Sequence, residues 1–302
     1  MTGDFINFIN SQDKNKAQCE NHAQDKNHTQ CEICFRHCVL RDGQIGFCRA
    51  RICQNNQIIP LNYAKITGIA LDPIEKKPLR RFYPGSMVLS IGSFGCNLRC
   101  PFCQNHEISM AGLDEIKMTE IPPEKLLNYA LELRPRGNIG VAYTYNEPLI
   151  CYEYVTDCAK LIKRNNMANI LVTNGSIAEK PWRELLPLID AVNIDLKGFT
   201  PEYYRNLNGD LETVKRAIIL AHESGCHVEV TTLLIPGEND SQDEIRALAQ
   251  WLANIHPDIP LHLSRFFPRY RYADLSPTPI ETVYQRAADA RQFLRYVYTG
   301  NC

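Results

Sequence analysis

From Met87 onward the chain alternates between two hydrophobic rhythms. Short, nearly continuous apolar runs lie at Met87–Ile91, Ile139–Tyr143, Ile170–Thr173, Ala191–Asp195, Val228–Ile235 and Leu261–Leu263. Gly, Pro or Asn bound them, a pattern that predicts strands buried on both faces. Between the runs the apolar positions recur at helical spacing. Pro122-Pro123 opens a helix to about Leu133, and Pro148 opens one to about Lys163. Asn208–Ser224 and Ser241–Ile255 supply two more, the latter with Ile245, Leu248, Ala249, Leu252 and Ile255 on one face. A final helix is expected from about Thr278 to Tyr296. Six strand–helix units in series imply an α/β fold with a parallel sheet and right-handed crossovers. An open (β/α)6 barrel and a doubly wound sheet both fit, and either places its active site at the carboxyl ends of the strands. Polar residues gather at those ends: Cys96 after the first run, Asn146 and Glu147 after the second, Thr173 and Asn174 after the third, Asp195 and Lys197 after the fourth.

Upstream the rhythm is absent. Residues 1–30 are rich in Asn, Gln, Lys, Asp and His and are read as a disordered polar lead. Residues 31–86 are read as a cysteine-rich extension and 87–302 as the barrel. Lys and Arg total 33 against 34 for Asp and Glu, a net charge of −1. That balance removes the electrostatic argument for nucleic acid or an anionic membrane. No apolar run reaches the ~20 residues of a membrane helix, and the first residues lack the order of a secretory signal.

The 13 cysteines change the picture. Without a signal they imply a reducing cytoplasm and thiols kept for metal rather than disulfides. Cys96, Cys100 and Cys103 are spaced C-x3-C-x2-C, with Gly92 and Gly95 turning the chain off the first strand. Three thiolates can grip one face of a [4Fe–4S] cubane, whereas full ligation takes four. The iron left open can bind the amino and carboxylate groups of S-adenosylmethionine (SAM) and pass an electron to its sulfonium. Cleavage yields methionine and a 5′-deoxyadenosyl radical. The competing reading is zinc, with His106 as fourth ligand. Cys31, Cys34, Cys38 and Cys48 form C-x2-C-x3-C-x9-C, which suits a closed site holding either a second iron–sulfur cluster or structural zinc. His37 and Cys53 are alternative ligands. Such a centre could relay electrons or fix the N-terminal lobe. Cys151, Cys158 and Cys226 read as core residues.

The C-x3-C-x2-C block is the pattern of the radical SAM superfamily. Asp72–Leu79 (DPIEKKPL), Cys103–Asn105 (CQN), Tyr143–Pro148 (YTYNEP), Thr173–Ser176 (TNGS), Asn193–Gly198 (NIDLKG) and Ile235–Asp240 (IPGEND) narrow it further. Over about residues 31–300 the chain resembles the radical SAM enzymes of the AmmeMemoRadiSam system, which are similar to pyruvate formate-lyase activating enzymes. The resemblance implies a partial (β/α)6 TIM-like barrel, SAM as cosubstrate, an electron donor such as flavodoxin or ferredoxin, and a protein substrate. Tyr145–Pro148 stands where related enzymes carry Gly-Gly-Glu-Pro, a segment that binds the SAM amino group, so Asn146 and Glu147 become candidate SAM residues. Asp195 and Lys197, one residue apart on a strand end, stand where relatives place a pair near the SAM carboxylate and ribose. Thr173 and Asn174 are further candidates. Val172 replaces an Asp that helps relatives hold a monovalent cation. Relatives commonly continue past Cys302 with further cysteines, so a C-terminal metal site is not expected here.

The reading is therefore a cytoplasmic radical SAM oxidoreductase of activating-enzyme type, similar to glycyl-radical activases, whose radical abstracts a hydrogen from a protein glycine or another substrate. The alternatives are radical modification of a peptide, nucleotide or small molecule, and, outside enzymes, a zinc-binding adaptor.

Overall fold

The computed structural model describes residues 28–302. Most of the expected polar lead lies outside the described residues. Its last three form β1 (His28–Gln30), paired antiparallel with β2 (Val39–Arg41). A second hairpin joins β3 (Arg51–Gln54) to β4 (Gln57–Pro60). It turns through Asn55 and Asn56, whose φ values of 52° and 58° suit asparagine and a tight two-residue turn. β5 (Lys65–Ile66) and β6 (Gly68–Pro73) lead into β7 (Met87–Gly92), to which β6 runs antiparallel.

Past β7 come the short helix α1 (His106–Ser109), β8 (Thr119–Glu120), which pairs back on β5, and α2 (Pro123–Glu132). Repeating units follow: β9 (Asn138–Tyr143) and α3 (Tyr152–Arg164), β10 (Ala168–Thr173) and α4 (Glu179–Leu185), then β11 (Ala191–Asp195). After β11 come α5 (Pro201–Asn206), α6 (Leu211–Glu223), β12 (His227–Leu234) and α7 (Gln242–Ile255). β13 (Leu261–Arg265), α8 (Ile280–Ala290) and β14 (Val297–Gly300) complete the chain. Side-chain caps start several helices. Asp210 accepts from Thr213 N at 2.8 Å before α6, and Ser241 Oγ accepts from Glu244 N before α7.

The main sheet has eight strands in the order β14-β13-β12-β11-β10-β9-β7-β6. From β7 to β14 every pairing is parallel and each new strand adds on the same side. A doubly wound sheet would reverse direction at a switch point. This one does not, so it curves as an open barrel. All six expected strands are present. A seventh parallel strand, β14, was not foreseen: the last helix stops at Ala290 rather than Tyr296, and the chain after it turns back onto β13. Alternate strand residues such as Leu89, Val141, Leu171, Val192, Val230 and Leu263 meet the helices in the main apolar core. Among the described residues no helix is long and apolar enough to cross a membrane.

The DPIEKKPL stretch plugs the amino-terminal end of the barrel. Ile74 and Leu79 are fully buried against Val88, Ala142, Ile170 and Ala191. Asn193 Nδ2 donates to Pro78 O at 2.8 Å. Buried Glu229 accepts from Arg80 N (3.1 Å) and Arg81 N (2.8 Å), and its oxygens also meet His227 Nε2 (2.9 Å) and His262 Nε2 (2.5 Å). Arg81 then lays its guanidinium 3.8 Å from the ring centroid of Tyr296, just before β14.

Candidate active site

The expected site residues meet at the opposite, carboxyl-terminal rim. The loop after β7 carries Cys96, Cys100 and Cys103, which pack in one cluster with Leu98, Phe102, Tyr203 and Phe266. Gly95 makes this loop possible. Its φ is +83°, and a Cβ there would lie 2.5 Å from Cys48 O. Cys96 Sγ accepts from Leu98 N at 3.4 Å and from Asn174 Nδ2 at 3.7 Å. Asn174 Nδ2 also donates to Asn97 Oδ1 (2.9 Å), and Asn97 Nδ2 donates to Ser176 O (2.9 Å). The loop after β10 is thereby fastened to the cysteine loop.

Glu147 is buried and accepts from three protein donors: Leu149 N (3.0 Å), Thr173 Oγ1 (2.7 Å) and Asn174 N (2.8 Å). Burial pushes its carboxyl up to about 7, against the pull of those donors. Asn146 serves the neighbouring loop. Its Oδ1 accepts from Ser93 N (2.9 Å) and its Nδ2 donates to Phe94 O and Gly95 O (3.1 and 3.0 Å). Its carboxamide is thus committed to holding the turn before Cys96. Tyr145 takes a φ of +69°, in the left-handed region that favours glycine. Its hydroxyl donates to Asp72 Oδ2 at 2.8 Å, and Lys77 Nζ lies 4.8 Å from its ring centroid. A backbone shape suited to glycine is kept, and the side chain is anchored well away from it.

Asp195 and Lys197 do point the same way: Lys197 Nζ lies 3.0 Å from Asp195 Oδ2. The ammonium is also 5.9 Å from the ring centroid of Phe102, inside the cysteine motif. Burial pulls the Lys197 pKa down, but Asp195 and the Cys100 thiol outweigh it and hold it above the ordinary lysine range. Lys197 therefore stays charged. Burial raises the Cys100 thiol to about 11, so a metal binding there displaces a proton. Two asparagines here were given no role by the sequence. Asn97 ties three loops. Asn239, of IPGEND, donates to Lys197 O (2.6 Å) and Leu233 O (2.8 Å), fixing the Lys197 turn. His106 stacks on Tyr270 with centroids 4.5 Å apart, and its Nδ1 lies 3.3 Å from Cys103 O.

The donor set fits a cluster open at one iron: three thiols on one loop, amide donors aimed at sulfur, and a charged Lys–Asp pair beside them. Residues 90–252 match the Radical SAM superfamily. The chain belongs to that superfamily. Its cofactors are accordingly a [4Fe–4S] cluster and SAM, and it is an enzyme. An uncharacterized protein of Methanocaldococcus jannaschii is 40% identical over 274 residues, 90% of this chain and 80% of that protein. The pyruvate formate-lyase-activating enzyme of Clostridium pasteurianum is 30% identical over 166 residues, 53% of this chain and 67% of the enzyme. A radical SAM methyltransferase from Sphaerobacter thermophilus shares the fold, with a TM-score of 0.54 and 18% identity over 72% of this chain and 67% of that one.

Cys31, Cys34, Cys38 and Cys48 lie outside this rim constellation, around a separate cavity in the N-terminal lobe. Cys151, Cys158 and Cys226 are buried in the main core.

Proposed function

We propose that this protein is a cytoplasmic activating-type radical SAM enzyme that removes a hydrogen from a glycine of a protein substrate. The observation that carries the reading is the similarity to the activating enzyme of Clostridium pasteurianum, which extends over 53% of this chain. The AmmeMemoRadiSam resemblance of the DPIEKKPL and CQN segments assigns it to that branch.

When bound, the cluster supplies one electron to the SAM sulfonium and so generates the hydrogen-abstracting radical. The protein's own residues do the rest. Cys96, Cys100 and Cys103 hold the cluster, and the N–H groups of Leu98 and Asn174 stabilise negative charge on Cys96 sulfur. Lys197 pairs with the SAM carboxylate, and Asp195 accepts from a ribose hydroxyl. Glu147 has spare acceptor capacity on Oε2 for the SAM ammonium, while Thr173 and Asn174 orient it. Asn146 and Gly95 shape the loop rather than touch SAM. A flavodoxin or ferredoxin supplies the electron.

The test uses anaerobic enzyme, SAM, reductant and a cell protein extract labelled with α-deuterated glycine. Deuterium should appear in the 5′-deoxyadenosine. Turnover that leaves the 5′-deoxyadenosine free of deuterium would reject glycine as the hydrogen source and favour a peptide side chain, nucleotide or small molecule.

A further inference from the structure

We infer that the N-terminal lobe holds a second iron–sulfur centre, a closed cluster ligated by Cys31, Cys34, Cys38 and Cys48. The four side chains line one largely enclosed cavity. Cys31, Cys34 and Cys48 are each less than a tenth exposed. The two substitutes are placed elsewhere. His37 turns to Glu32 at 3.2 Å, and neither it nor Cys53 lines the cavity.

The cavity is prepared for sulfur. Arg51 lines it and is 4% exposed. One side of its guanidinium is fully used: Nη1 and Nη2 donate to the two Glu153 oxygens at 2.8 and 2.6 Å, and Nη1 also donates to Ile150 O. Its Nε–H is buried and has no partner among the described residues. A buried N–H without an acceptor is costly, so the position calls for an acceptor that arrives with the ligand. A cluster sulfur is such an acceptor. Local geometry agrees. Cys34 and Cys48 each accept a backbone N–H from two residues ahead, Arg36 and Ala50. Catalytic Cys96 does the same with Leu98. One turn type thus recurs in both cysteine blocks.

A cluster fits better than zinc. Zn–S bonds of about 2.3 Å would draw four sulfurs to about 3.8 Å from one another. The four thiols here line the walls of one cavity between them. A cubane spreads its thiolates over separate irons around a central volume.

The centre would sit directly against the catalytic loop. Cys96 N donates to Cys48 O at 3.2 Å, and Arg36 Nε donates to Asn97 O at 3.0 Å. Phe47 is sandwiched between Arg36 and Arg99, whose guanidinium carbons lie 3.5 and 4.0 Å from its centroid.

The experiment replaces Cys96, Cys100 and Cys103 together with Ala and reconstitutes the full chain anaerobically with iron and sulfide. About four irons and four sulfides should remain, and because all four irons are ligated, SAM should leave the reduced signal unchanged. Adding Cys34→Ser and Cys38→Ser should remove them, whereas adding Cys53→Ser should not. If the triple variant does not fold, Mössbauer spectra of Cys34→Ser in the wild-type background should show iron falling from about eight to about four per chain. One zinc without sulfide, no metal in a folded triple variant, or iron indifferent to Cys34 and Cys38 would each overturn the inference.

Discussion

Lys197 illustrates how far single residues decide this site. Its ammonium is paired, sheltered and aimed at the cysteine motif. A charge-assisted hydrogen bond is worth about 1.5–3 kcal/mol, so Lys197→Ala should weaken SAM binding about ten- to more than a hundredfold. Iron content should hold, because Lys197 is no ligand. A SAM titration of the reduced cluster by electron paramagnetic resonance reads both. An exposed ion pair would be worth only about 0–1 kcal/mol and would leave the titration unchanged. Cys96→Ala should instead abolish 5′-deoxyadenosine formation while the circular dichroism of the barrel persists. At this scale the sequence was most informative where one residue type has few chemical uses. Cysteine spacing and the Asp195–Lys197 alternation could be read directly. Asparagines could not. Asn97, Asn146 and Asn239 act through amides that bridge loops distant in sequence, and nothing local marks which asparagine will do so.

At the scale of elements, the plug is the part most open to test. Burial would raise the Glu229 carboxyl, but His227, His262 and two backbone N–H groups bring it down to about 2. A depressed carboxyl stabilises the fold above its ordinary value of 4.5, and that stability is lost as pH falls toward about 2. The difference corresponds to about 3 kcal/mol at neutral pH. Glu229→Gln should therefore lower the urea midpoint at pH 7, and the gap from wild type should narrow below pH 4.5. A gap constant with pH would mean that the Glu229 carboxyl is not depressed in the folded protein. The long strands and helices were legible because their periodicity is sustained. β14 was missed because Val-Tyr-Thr-Gly is four residues of mixed polarity at a sheet edge. α4 and α5 were missed because seven and six residues leave too few turns to show a face. β6 lies in a stretch whose charges and prolines mask its pairing with β7.

At the scale of the whole molecule, the barrel and the N-terminal lobe differ in what holds them. The barrel has a large continuous core. Residues 31–53 of the lobe contribute only Cys48 and Ala50 to a small one with Phe94 and Ile150. Its short hairpins are marginal without added constraint. Stripping metal by oxidation and chelation should free the amides of residues 31–53 to exchange while β9 to β12 stay protected. Hydrogen exchange with mass spectrometry distinguishes this from uniform loosening.

The contact between Arg81 and Tyr296 has a mechanical consequence. β6 and β14 are the free edges of the sheet and do not pair with each other. Arg81 bridges the gap between them at the base, through the Tyr296 ring and a hydrogen bond to Tyr298. At the rim the segment after β13 crosses to the cysteine loop, where Arg271 N donates to Pro101 O at 2.9 Å and Tyr270 stacks on His106. The slit is thus laced at both ends, so anything that reaches the thiols comes over the rim rather than sideways between the sheet edges.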